Sequence, residues 1–101
     1  MEPIAQKTLI VVNKTTGEHQ EVVIEIFVPR PTDDGQDYFC LARFNGLENE
    51  SYDVGGADSL QALFLAGAQL KRRFEVLRKE QYDFFWPDSE FLVESLDYLV
   101  E

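Results

Sequence analysis

Apolar positions along the first half of the chain recur with a period of two, and polar turns interrupt them. "TLIVV", Thr8 to Val12, is apolar and β-branched, and "EVVIEIFV", Glu21 to Val28, is the longest such run. "YFCLARF", Tyr38 to Phe44, and a short run from Ser51 to Val54 follow. The spacing predicts four strands. Asn13–Glu18 carries Gly17 for a turn, Pro29 and Pro31 stop the second run, Thr32–Asp37 is a polar loop, and Asn45-Gly46 opens another turn. Proline ends a ladder because it has no N–H to donate. Connections this short predict antiparallel neighbours in a meander.

After Gly56 the period changes. Leu60, Leu63, Gly67, Leu70, Phe74 and Leu77 are spaced as one face of a long helix. Asp58 fits its N-cap, with Gln61 three residues on, a capping box with aspartate in the serine role. "QYDFFW", Gln81 to Trp86, reads as a short extended segment. Pro87-Asp88-Ser89 then reads as a second helix start, and Leu92, Val93, Leu96, Leu99 and Val100 form a stripe. The expected fold is therefore α+β: a four-stranded antiparallel meander on one long helix, with a short C-terminal helix, in a single domain over residues 1–101.

Both faces of this sheet are apolar. Val22, Ile24, Ile26 and Val28 face the long helix, while Val23, Phe27, Phe39 and Leu41 lie on the other side with Ile10 and Val12, or with Leu9 and Val11. A monomer rarely leaves such a patch in water. Either the C-terminal helix or a second subunit covers it, so a homodimer is one of two expectations.

From Glu21 to Trp86 the chain resembles a family of small bacterial proteins labelled only as a domain of unknown function. The resemblance rests on "YFCLARFNGL", on a short strand ending in glycine, on "GADSLQAL" opening a long helix, and on "YDFFW" after it. It implies an antiparallel sheet packed on one helix. It implies no activity, cofactor or catalytic residue, and the tail after Pro87 departs from its pattern.

Candidate chemistry is sparse. Asp58-Ser59-Leu60 repeats the letters around the serine of phosphopantetheine carrier proteins. A carrier serine needs a helix and a long loop before it, and the upstream residues alternate as strands, so the cap reading is preferred and a carrier function at Ser59 is the alternative. His19, the sole histidine, lies among polar residues with no partner to orient it as a base. Cys40 alternates with Tyr38, Ala42 and Phe44 as a buried thiol. "DDGQD", Asp33 to Asp37, lacks the spaced oxygen ligands of a calcium loop. Neither a metal nor a cofactor is expected, and no enzyme activity.

Charge adds a partner class. The formal net charge is −10, which disfavours nucleic acid. Residues 71–80 hold five basic side chains, a solvated helix end. The acids expected to meet a partner lie elsewhere: Asp33, Asp34, Asp37, Glu48, Glu50 and Asp53 in the loops, and Glu90, Glu94 and Asp97 opposite the tail stripe. Acids on turns are free to reach outward and steer a basic protein. The expected function is a non-enzymatic protein-binding domain, in one form an immunity- or antitoxin-like inhibitor. One cysteine, no signal sequence and no bilayer-length apolar run suggest a cytoplasmic protein away from membranes.

Overall fold

The computed structural model describes residues 3–47, 51–88, 91–94 and 96. Its elements run β1 (Pro3–Asn13), β2 (His19–Phe27), β3 (Arg30–Pro31), β4 (Tyr38–Asn45), β5 (Ser51–Gly56), α1 (Ser59–Glu80) and β6 (Tyr82–Phe85). The strands form one six-stranded sheet in the order β3-β4-β2-β1-β6, with β5 pairing β4. Every pairing is antiparallel.

This corrects the expected four-stranded sheet with two helices. The runs β1, β2, β4 and β5 form the expected meander, but β3 joins β4 through Arg30 and Pro31, and β6 joins β1. The chain reaches β6 only after α1 has crossed the sheet, so a strand at the far end of the sequence lies beside the first one. The C-terminal helix is also overturned. Leu92 forms a bridge to Phe85, Val93 N–H donates to the carbonyl of Phe84 at 2.7 Å, and Trp86 N–H donates to that of Phe91 at 3.3 Å. Among the described residues, 91–93 thus run along β6 where helix was expected. Leu99 and Val100 lie outside the described residues.

The core lies between α1 and one face of the sheet. Leu9, Val11, Val22, Ile24, Cys40, Ala42, Phe44 and Phe84 supply the sheet side, and Ala62, Ala66, Leu70, Phe74 and Leu77 the helix side. Phe74 and Phe84 meet with ring centroids 4.6 Å apart. Val93 and Leu96 close the same cluster. The helix runs diagonally. Its first turn follows β5 at the end where Tyr38 pairs with Gly56, and its last turn is held to the far end of β1, where the Lys14 ammonium donates to the carbonyl of Arg78 at 2.6 Å.

The helix is capped as the sequence predicts. Asp58 accepts from Gln61 N–H at 2.8 Å, which satisfies one of the donors a helix start leaves open. The Gln61 carboxamide accepts from Ala57 N–H at 2.6 Å, one residue earlier than in a standard capping box. The buried stripe begins differently from expectation. Ala62 and Ala66 face the sheet, and Leu60 projects outward. The cause is Gly56: a Cβ on it would lie 2.5 Å from the nitrogen of Ala62. At so close an approach only small helix residues fit against β5, and the larger Leu60 and Phe64 turn away.

Candidate functional site

The most exposed apolar pair on α1 is Leu60 and Phe64, at 61% and 53% exposure. They are four residues apart, so they stand side by side on the first two turns. The same end of the molecule carries the Thr32–Asp37 loop. Tyr38, which follows that loop, pairs with Gly56, and Asp58 caps the helix two residues further on. Asp37 and Ala57 thus leave the sheet at the same end, where the acidic loop and the start of α1 both lie.

The loop is held by its own hydrogen bonds. Thr32 N–H donates to the carbonyl of Asp37 and Gly35 N–H to that of Thr32, each at 2.9 Å. Gly35 takes the positive φ of 72° that closes the turn. The Asp34 carboxylate accepts from the Thr32 hydroxyl at 2.7 Å and from Gln36 N–H at 3.0 Å. These bonds, the hydroxyl's first, hold its carboxyl below the ordinary range. Asp34 therefore shapes the loop, while Asp33 and Asp37 are exposed beside it.

Asp53 lies exposed on β5 and pairs with Leu41, on the sheet face turned away from α1, and Glu94 is exposed on the segment beside β6. They do not join the loop acids in one cluster. Glu48, Glu50, Glu90 and Asp97 lie outside the described residues. The apolar ridge was missed in the sequence because Leu60 fitted the helical stripe; the glycine pair Gly55-Gly56 was the available signal.

The remaining candidates have structural surroundings. Cys40 is fully buried, and its thiol donates to the carbonyl of Phe27 at 3.1 Å. Burial raises its pKa, so the thiolate is disfavoured. His19 opens β2 opposite Val12 and is exposed, a strand residue rather than a turn residue. Ser59 is the exposed first residue of α1. In the basic stretch, Arg78 pairs with Glu75 at 3.5 Å and Arg72 donates to Gln69 at 2.9 Å. Among the described residues no three His, Cys, Asp or Glu side chains converge as metal ligands, and no helix is long and apolar enough to cross a membrane.

A cleft of about 270 Å3 opens between β1, β2 and α1, lined by Ala5, Ile24, Ile26, Leu70 and Leu96. Its charged neighbours are engaged: Glu25 with Arg43 at 2.7 Å, and Lys7 with the ring of Trp86 at 3.5 Å.

The model of a family described as a domain of unknown function, DUF6968, matches residues 5–90. The chain belongs to this family. The match takes in the acidic loop, the capped helix start and the aromatic β6, so the candidate surface lies within the family's own domain. Neither a curated protein nor a solved structure matches the chain.

Proposed function

We propose that this chain is a non-enzymatic protein-binding domain, and that it meets a basic protein through the end of the molecule built by Thr32–Asp37 and the first two turns of α1. One observation carries the reading: Leu60 and Phe64 stand exposed on the first turns of a helix that starts at the end of the sheet where the acidic loop leaves it. An apolar centre with a charged rim is the anatomy of a protein interface, and the rim sets the partner's charge. The net charge of −10 extends the same bias across the chain. A concrete form is an inhibitor of the immunity or antitoxin kind, which shields a basic surface. The carrier alternative is not carried forward, because five strands rather than a helix and long loop precede Ser59.

The test is affinity capture from extract of the native host at low and at high salt. Two variants accompany it: Asp33→Lys with Asp37→Lys, and Phe64→Ser. Asp34 stays in place because its carboxylate holds the loop. The expected result is a basic protein retained at low salt, released at high salt, and lost with either variant. Screening acts here because exposed charges reach only about 8 Å at physiological ionic strength. Recovery of no protein, or of one indifferent to salt and to both variants, contradicts the reading.

A further inference from the structure

The face of the sheet turned away from α1 carries no covering element among the described residues. Paired residues project to the same face, and the register fixes its members: Thr8 opposite Val23, Ile10 opposite Phe85, and Leu41 opposite Asp53. Ile10, Val23, Leu41 and Phe85 are only partly buried. Near its centre Glu25, 6% exposed, accepts from Arg43 at 2.7 Å. The tail was one expected cover for this face, through Leu92, Leu96 and Leu99, but Leu96 belongs to the cluster on the helix side, Leu92 is exposed at the edge beside Phe85, and Leu99 lies outside the described residues.

We propose that a second copy of this chain covers this face, in a two-fold dimer joined sheet to sheet. Charge self-complementarity is the first argument. Arg43 keeps 42% of its side chain exposed, and Glu21 and Asp53 stand exposed on the same face. A two-fold axis that brings the exposed part of each Arg43 side chain towards Glu21 or Asp53 of the other copy also stacks the apolar rows between them. Size is the second argument. Across β5, β4, β2, β1 and β6 the face spans roughly 24 by 20 Å, by strand spacing and rise. Two such faces remove on the order of 1,000 Å2 from water, the low end of specific interfaces. The dimer is therefore dissociable. Each copy carries a net charge of −10, so repulsion through solution outweighs the Arg43 contacts and added salt strengthens the pairing. That is the opposite sign to the basic partner at the helix end, so this proposal and the proposed function fail separately.

Sedimentation of the full chain, over about 1 μM to 1 mM on the scale of weak association, tests it. The expected result is a monomer–dimer shift that moves towards dimer as salt rises. Thr8→Lys and Val23→Lys each place like charges across the two-fold, and each raises the dissociation constant by about tenfold or more. Thr8 is already polar, so Thr8→Lys keeps the test valid if Val23→Lys does not fold, and far-ultraviolet circular dichroism checks both. Val76→Ser, on the exposed side of α1, leaves the dimer unchanged. A monomer at every concentration, a dimer that survives Thr8→Lys, or one lost with Val76→Ser overturns the proposal.

Discussion

Gly56 and Ala62 are in backbone contact: a Cβ added to Gly56 would sit 2.5 Å from the nitrogen of Ala62 and 2.8 Å from its Cα. Neither atom can swing aside as a flexible side chain would. Gly56→Ala must push the helix start off β5, an overpacking that costs about 1–3 kcal/mol. Urea denaturation measures it. Gly17→Ala is a comparison of another kind, since a Cβ there meets nothing within 4 Å and only its positive φ of 77° opposes the change. Equal midpoints for Gly56→Ala and the wild type contradict the close packing.

Asp58 holds the same helix start by a hydrogen bond rather than by contact. Asp58→Ala lowers stability by about 1 kcal/mol, the usual worth of an N-cap. Asp58→Asn, which keeps an accepting oxygen, loses much less. The pair of denaturant midpoints separates the cap from a general effect of charge.

Glu25 is 6% exposed, and Arg43 supplies its partner at 2.7 Å. The guanidinium also lies 5.1 Å from the centre of the Phe27 ring. Arg43→Ala leaves a buried carboxylate without its cation. The loss expected for a fully buried pair is about 3–5 kcal/mol, and the part-exposed arginine discounts it to about 2. Glu25→Ala with Arg43→Ala costs less than the sum of the two single losses, because no charge is then stranded. Additive losses in this double-mutant cycle refute the coupling.

Cys40 is fully buried, and burial raises its pKa. Thiol reagents therefore label it slowly in the native protein and quickly in denaturant. The stability this thiol contributes is fully present below the unfolded pKa and is lost as pH rises through the higher folded value. Cys40→Ala removes that alkaline loss while leaving a small cavity. Fast native labelling at neutral pH contradicts the burial.

Local pattern made much of the fold legible. Alternation over Thr8–Val12, Glu21–Val28 and Tyr38–Phe44 located β1, β2 and β4, because one face of each strand is buried. Two things were beyond local pattern. Pairing of β6 with β1 is a long-range contact made possible by the crossing of α1, and nothing near Tyr82 in the sequence announces it. Leu92, Val93 and Leu96 have helical spacing, yet Val93 is drawn to the open edge of β6, whose Phe84 carbonyl needs a donor. At the candidate site the acids of Thr32–Asp37 were legible as a turn. The ridge was not, because hydrophobicity ranks Leu60 above Ala62, while the contact at Gly56 selects the smaller residue.

The acidic loop and the helical ridge are proposed to form one binding surface. Amide hydrogen exchange of the complex with the captured partner tests it most directly. Slowed exchange is expected at Thr32–Asp37 and at Leu60–Phe64 in the same complex, with little change across β1. Slowed exchange confined to other regions, or at only one of these two, contradicts it.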